Sequence, residues 1–255
     1  MNLQLQDQVI LISGGAKGIG AAISKTLIEE GALPVIIDPS SEGKELVEMA
    51  KGKALHIPQR LTNEMHAKQA VEKTIEKFGK IHGLVNNAGS NDGIGLENGT
   101  PKEFADSVSR NLLHYYNLAH FALPFLKVTK GSIVNISSKT AITGQGGTSG
   151  YVAAKGAQLA LTREWAAELL PYQIRVNAVI PAEVMTPLYE NWLGTFPDPE
   201  SKLKEITNRI PLEKRMTLPE EIAAMVVFLL SQKASHITGQ HLFVDGGYTH
   251  LDRAL

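Results

Sequence analysis

The chain has 255 residues, with 25 Lys+Arg against 26 Asp+Glu and a formal net charge of −1. Hydrophobic residues are 43% and charged residues 20%, a globular mixture that argues against disorder and fits one full-sized domain spanning 1–255. Zero cysteines exclude disulfides, thiolate metal sites and a cysteine nucleophile, and the absence of a Lys/Arg block leaves no footprint for nucleic acid.

Taken in chain order, two periods alternate. Short apolar runs rich in β-branched residues stand at Val9–Ser13, 34–37, 84–86, Ser132–Ile136, 175–179 and 242–244. Between them, helical spacing occupies 19–30, 65–78, 104–126, 153–170 and Pro219–Leu230. Continuous apolar strands separated by helices predict an α/β fold: a doubly wound parallel sheet covered on both faces. The stretch 189–212 breaks the rhythm with Trp192, Phe196, Pro197, Pro199 and Pro211. Following a strand's C-terminal end, it reads as a lid over about 187–212, against the alternative of an ordinary surface insertion. The start of the chain has no basic-then-apolar leader, and the longest apolar run near its end, 223–230, is far below the roughly 20 residues that span a bilayer. A soluble cytoplasmic protein with no membrane partner is expected.

The first strand runs into Ser13-Gly14-Gly15-Ala16-Lys17-Gly18-Ile19-Gly20 and then a helix. Such a turn lets backbone approach a pyrophosphate and points unpaired helix N–H groups at it. Eighteen residues after Gly20, Asp38 ends the second strand. A carboxylate there accepts the adenosine ribose hydroxyls and repels a 2′-phosphate, which favours NAD over NADP. The competing account of Asp38 is a turn former helped by Pro39, Ser40 and Ser41, and Lys17 is a cation that would attract a phosphate.

Tyr151 and Lys155 are an i, i+4 pair on one helical face, and Ser138 stands thirteen residues before Tyr151 at a strand end. An adjacent cation favours the ionised phenol, so Lys155 is expected to make Tyr151 a usable base. With the glycine turn, this set resembles the short-chain dehydrogenases/reductases along essentially the whole chain. The family's Thr-Gly-x-x-x-Gly-x-Gly is Ser13 to Gly20, its Asn-Asn-Ala-Gly is Asn86-Asn87-Ala88-Gly89, and its helix asparagine matches Asn111.

The resemblance implies a seven-stranded Rossmann-type sheet and general acid–base catalysis with hydride chemistry supplied by the cofactor. It makes Tyr151 the base, Lys155 the residue that lowers its pKa and holds the nicotinamide ribose, Ser138 the holder of the reacting oxygen, and Asn111 the anchor of a relay water. Ser137 competes with Ser138, but the spacing to Tyr151 matches Ser138. The nucleotide set becomes Gly14, Lys17, Gly18, Ile19, Gly20, Asp38, Leu61, Asn87, Ala88, Gly89, Tyr151, Lys155, Pro181, Val184 and Thr186. Two positions depart from the family: Ala182 replaces the glycine after Pro181, and Arg60 replaces an adenine-side Asp.

Glu183 beside the nicotinamide site would cost solvation without a polar partner, which a polyhydroxylated substrate supplies. Lys139, Gln145, His114 and Trp192 join Ser138, Tyr151 and Glu183 as substrate residues; a rim salt bridge between Lys139 and Glu183 is the bland alternative. Within the family, 137–146, 180–189 and 245–253 look closest to bacterial L-fucose dehydrogenases, which oxidise C1 of an aldose to a lactone. An NADPH-dependent carbonyl reductase for 3-oxoacyl or small ketone substrates, or a non-catalytic nucleotide sensor, are the competing functions. The resemblance further implies a homotetramer whose tail, 248–255 with His250, Asp252 and Arg253, reaches a neighbour. The eight histidines have no metal spacing, so no metal is expected.

Overall fold

The computed structural model describes residues 2–251. In chain order the elements are β1 (Val9–Ser13), α1 (Gly18–Glu29), β2 (Leu33–Ile37), α2 (Glu42–Met49), β3 (Leu55–Ile57), α3 (Glu64–Phe78), β4 (Gly83–Asn86) and α4 (Pro101–Thr129). There follow β5 (Ser132–Ile136), α5 (Thr140–Thr143), α6 (Ser149–Glu168), β6 (Arg175–Pro181), α7 (Pro187–Leu193), α8 (Pro199–Thr207), α9 (Pro219–Leu230) and β7 (His241–Val244). The strands make one parallel sheet in the order β3-β2-β1-β4-β5-β6-β7.

Period-two alternation along β1 divides the core. Val9 and Leu11 face one side, packing with Ala67 and Val71 of α3, Leu118 and Ala122 of α4 and Trp165 of α6. Ile10 and Ile12 face the other, packing with Ile23 and Leu27 of α1 and Val226 and Val227 of α9. All four β1 residues are 0% exposed, and burying each such side chain contributes roughly 1.5–3 kcal/mol. A polar exception crosses the sheet: Asn86 Nδ2 donates to Asn135 Oδ1 (3.0 Å) between β4 and β5, and Asn135 Nδ2 donates to Thr162 on α6 (2.9 Å).

Local chemistry starts the helices. Thr100 and Glu103 form a reciprocal capping box for α4, with Pro101 at its first position. Asn63 caps α3, which ends on Gly79 in the left-handed conformation (φ 72°). The segment that broke the rhythm is a pair of helices instead of an irregular loop. Thr186 caps α7 ahead of Pro187, and Asp198 caps α8 ahead of Pro199, so the prolines initiate structure there. No described helix is long and apolar enough to cross a membrane.

Strand order reverses between β1 and β4, whose chains leave toward opposite sides. At such a point a crevice opens beyond the strands' carboxyl ends, and the glycine turn, the Asn87–Gly89 turn, Ser138, Tyr151 and Lys155 border it.

Candidate active site

β1 delivers the chain into the glycine turn, which is stapled to the end of β4. Ser13 Oγ accepts from Asn87 N (2.9 Å) and Ala88 N (3.1 Å), while Asn87 Nδ2 donates to the Ser13 and Gly14 carbonyls (3.1 and 3.0 Å). Ser13 thus ties the glycine turn to the end of β4. Gly18 needs its freedom, having φ +50° against Thr186. Gly20 serves differently from expectation: a Cβ there would lie 1.9 Å from the Gly14 carbonyl oxygen, so it permits close packing and does not itself line the cleft. No side chain caps α1, whose Lys17 N-cap carries no acceptor, leaving its first N–H groups to an anion.

Asp38 is buried and acts as the turn former of the competing account. Its Oδ1 accepts from Ser40 N (2.8 Å) as a turn former, and its Oδ2 accepts from Ala16 N (3.2 Å), which fixes it beside the glycine turn at the cleft wall. Lys17 is not a spare cation, because its Nζ lies 2.9 Å from Glu42 Oε1. Arg60 and Leu61 line the same end. Ala182, substituted for glycine, avoids the left-handed backbone region, so its Cβ brings no strain.

Ser138, Tyr151 and Lys155 meet on the cleft floor. Ser137 is removed from contention: its Oγ donates to the Lys155 carbonyl (2.8 Å) inside the structure. Lys155 Nζ sits 5.5 Å from the Tyr151 ring centre. It donates to the Ile136 carbonyl at 2.7 Å and to Tyr115 Oη at 3.4 Å. Burial pulls the Lys155 ammonium down to about 7 and pushes the Tyr151 phenol up to about 12, which the Ser138 hydroxyl only partly opposes. Burial thus sets the Tyr151 phenol in the protein alone, with Ser138 rather than Lys155 opposing the rise. Asn111 is 0% exposed and lies behind the cleft lining. Its Oδ1 accepts from Ser90 N (2.9 Å), its Nδ2 donates to the Ser107 carbonyl (3.0 Å), and its own carbonyl accepts from Gln158 Nε2 (2.8 Å).

The substrate set divides. Lys139 and Glu183 meet each other as a nearly buried ion pair, the bland alternative, and neither lines the cleft directly. The second Glu183 oxygen accepts from Tyr189 Oη at 2.8 Å. Since lone pairs of Glu183 are met within the protein, it does not demand a substrate hydroxyl. His114 lines the cleft with Nε2 3.1 Å from the Ala88 carbonyl. Gln145 is exposed among glycines 144, 146 and 147, and Trp192, 44% exposed, packs on Tyr189 and Phe196; neither lines the cleft. Tyr189 and Asn191 of α7 line the cleft where Trp192 was expected, Trp192 standing one residue, about 100°, round the helix from Asn191. Proline starts concealed that helix in the sequence. Tyr115 was also missed, because a tyrosine four residues after Asn111 reads as core. Of the tail, Tyr248 covers Lys139 Nζ at 3.9 Å and His250 packs on Phe243 at 4.2 Å, while Asp252 and Arg253 lie outside the described residues.

The cleft holds about 1430 Å³, more than the roughly 300–1,000 Å³ of a single small-molecule site and room for a dinucleotide with a substrate. A cradle fits that group: a Cβ at Gly89 would lie 3.1 Å from Asn111 Oδ1 and 3.5 Å from Lys155 Nζ. Among the described residues no three His, Asp or Glu side chains are grouped to hold a metal.

Comparison with known proteins follows the same lines. A family model described as enoyl-(acyl carrier protein) reductase matches residues 14–249. L-fucose dehydrogenase of Oryctolagus cuniculus is 36% identical over 94% of this chain and 84% of its own. The 3-oxoacyl-[acyl-carrier-protein] reductase FabG of Thermotoga maritima is 36% identical over 96% of this chain and 99% of its own. Among solved structures, Cj0485 dehydrogenase is 48% identical with TM-score 0.97, covering 100% of this chain and 99% of that one.

Proposed function

Because the chain belongs to the short-chain dehydrogenase/reductase family, we propose that this oxidoreductase is an NAD-dependent sugar dehydrogenase. It would oxidise C1 of an aldose such as L-fucose to the lactone. The convergence of Ser138, Tyr151 and Lys155 on the floor of a cleft that begins at the glycine turn carries the reading. Likeness to L-fucose dehydrogenase supports the sugar, and the polar side chains of Tyr189 and Asn191 on the cleft wall are compatible with one.

Gly14, Lys17, Gly18 and Ile19 hold the pyrophosphate, Asp38 the adenosine ribose and Leu61 the adenine. Asn87, Ala88, Gly89, Pro181, Val184 and Thr186 hold the nicotinamide end. When bound, the oxidised nicotinamide supplies the hydride acceptor. Ser138 holds the sugar oxygen, Tyr151 Oη takes the C1 hydroxyl proton, and Lys155 donates to ribose hydroxyls while its charge favours the phenolate. The ion pair of Lys17 with Glu42 supports NAD, because a 2′-phosphate would have to compete with that carboxylate for the cation. The segment 187–212 covers the substrate. A second reading, NADPH-dependent reduction of a 3-oxoacyl group or small ketone, draws on the FabG likeness.

Tyr151→Phe tests the proton path. Turnover should fall about 10²–10⁴-fold while nucleotide binding, followed by fluorescence titration, is retained. Wild-type turnover in that variant contradicts the assignment.

A further inference from the structure

Lys155 Nζ is a buried ammonium, and where its N–H groups go decides how it stands under Tyr151. Two acceptors are in place, the Ile136 carbonyl at 2.7 Å and Tyr115 Oη at 3.4 Å. The Tyr115 phenol is itself 0% exposed and commits its proton to the same Ile136 carbonyl at 3.0 Å. Its oxygen lone pairs are thereby left toward Lys155, closing a triangle of lysine, phenol and carbonyl. Asn111, one helical turn earlier on α4, has its side chain engaged by Ser90 and Ser107 and its carbonyl by Gln158.

We propose that Tyr115 is a positioning residue for Lys155, its neutral phenol oxygen orienting and sustaining the ammonium beneath Tyr151; this rests on the catalytic reading above. Burial, reinforced by Tyr151, pushes the Tyr115 hydroxyl well above its usual range, with Gln158 opposing the rise, so Tyr115 stays neutral and is no rival base. It is absent from the cleft lining, whereas Tyr151 lines it. Among the described residues, the titratable groups facing Lys155 are Tyr115 and His114 from α4 and Tyr151 from its own helix. The turn after β4 presents Gly89, and β5 presents the Ile136 carbonyl. No carboxylate contributes to these contacts, so hydrogen bonds rather than an ion pair sustain the charge. An acceptor bonded to the charged form raises an amine's pKa, and its loss lowers it.

Tyr115→Phe removes one oxygen and keeps the ring. The midpoint of Lys155, read by NMR of lysine labelled at Cε and assigned with Lys155→Met, should fall by about half a unit or more. The pH profile of kcat/KM should shift with it, and kcat should drop more than the KM for NAD rises. Should Tyr115→Phe not fold, Tyr115→Leu removes the same acceptor. An unchanged or raised Lys155 midpoint in a folded variant overturns the proposal. The two readings fail separately: turnover surviving Tyr151→Phe sinks the catalytic assignment, whereas the Lys155 titration is read without turnover and can be repeated in a Tyr151→Phe background.

Discussion

His114 illustrates how a single buried ring acquires a pH dependence. Desolvation, against the opposing Ala88 and Arg110 backbone contacts, brings its imidazole down to about 4. The unfolded ring takes its proton near pH 6.5 and the folded one only near 4, so between these values the unfolded state binds more protons. Stability is therefore full above the upper value and lost as pH falls through the window. His114→Gln, which keeps a donor for the Ala88 carbonyl, should reduce the stability lost between about pH 7 and about pH 5 by on the order of 2 kcal/mol. Urea melts at the two pH values measure it; an equal loss in the variant contradicts the account. At this scale the sequence revealed Ser138, Tyr151 and Lys155 through spacing, since spacing on a helix and strand end fixes who meets whom. It did not show Tyr115 beside Lys155, nor that Gln145 and Trp192 stand outside the cleft lining, because side-chain direction depends on turns and helix starts that composition alone does not set.

Elements carry their own test in α7. Tyr189 Oη donates to Glu183 across the turn that leaves β6, and Lys139 holds the other carboxylate oxygen. Burial and Glu183 both push the Tyr189 hydroxyl above its usual range, so it remains a donor at every working pH. A hydrogen bond to a charged group is worth about 1.5–3 kcal/mol, here tethering α7 to the sheet. Tyr189→Phe should speed amide hydrogen exchange across 187–207 and raise the KM for substrate more than it lowers kcat. Unaltered exchange would mean the tether does not hold the segment. Strands β1 and β5 were legible to the residue because they are buried on both faces. β3, only Leu55–Ile57, is too short to show a period, and α7 and α8 were hidden by prolines whose role as helix starters needs the capping Thr186 and Asp198 to be recognised.

For the whole molecule, the parallel sheet followed from strand–helix alternation, and the crevice from where strand order reverses. That geometry brings residues from the turns after β1 and β4 and from β2, α4, β5, α6, β6 and α7 to one cleft although they span Gly14 to Asn191. The sequence also legibly placed a nucleotide there; the occupant beside it was less legible, because Glu183 is answered by Lys139 and Tyr189 and so no longer distinguishes a sugar by its own need. The most direct test offers L-fucose deuterated at C1, with NAD and separately with NADP, to the wild-type enzyme. The account predicts that NAD is reduced in preference, that deuterium appears on the nicotinamide and that the lactone forms. No reduction of either nucleotide by any aldose, alongside brisk NADPH-dependent reduction of a ketone, would contradict it.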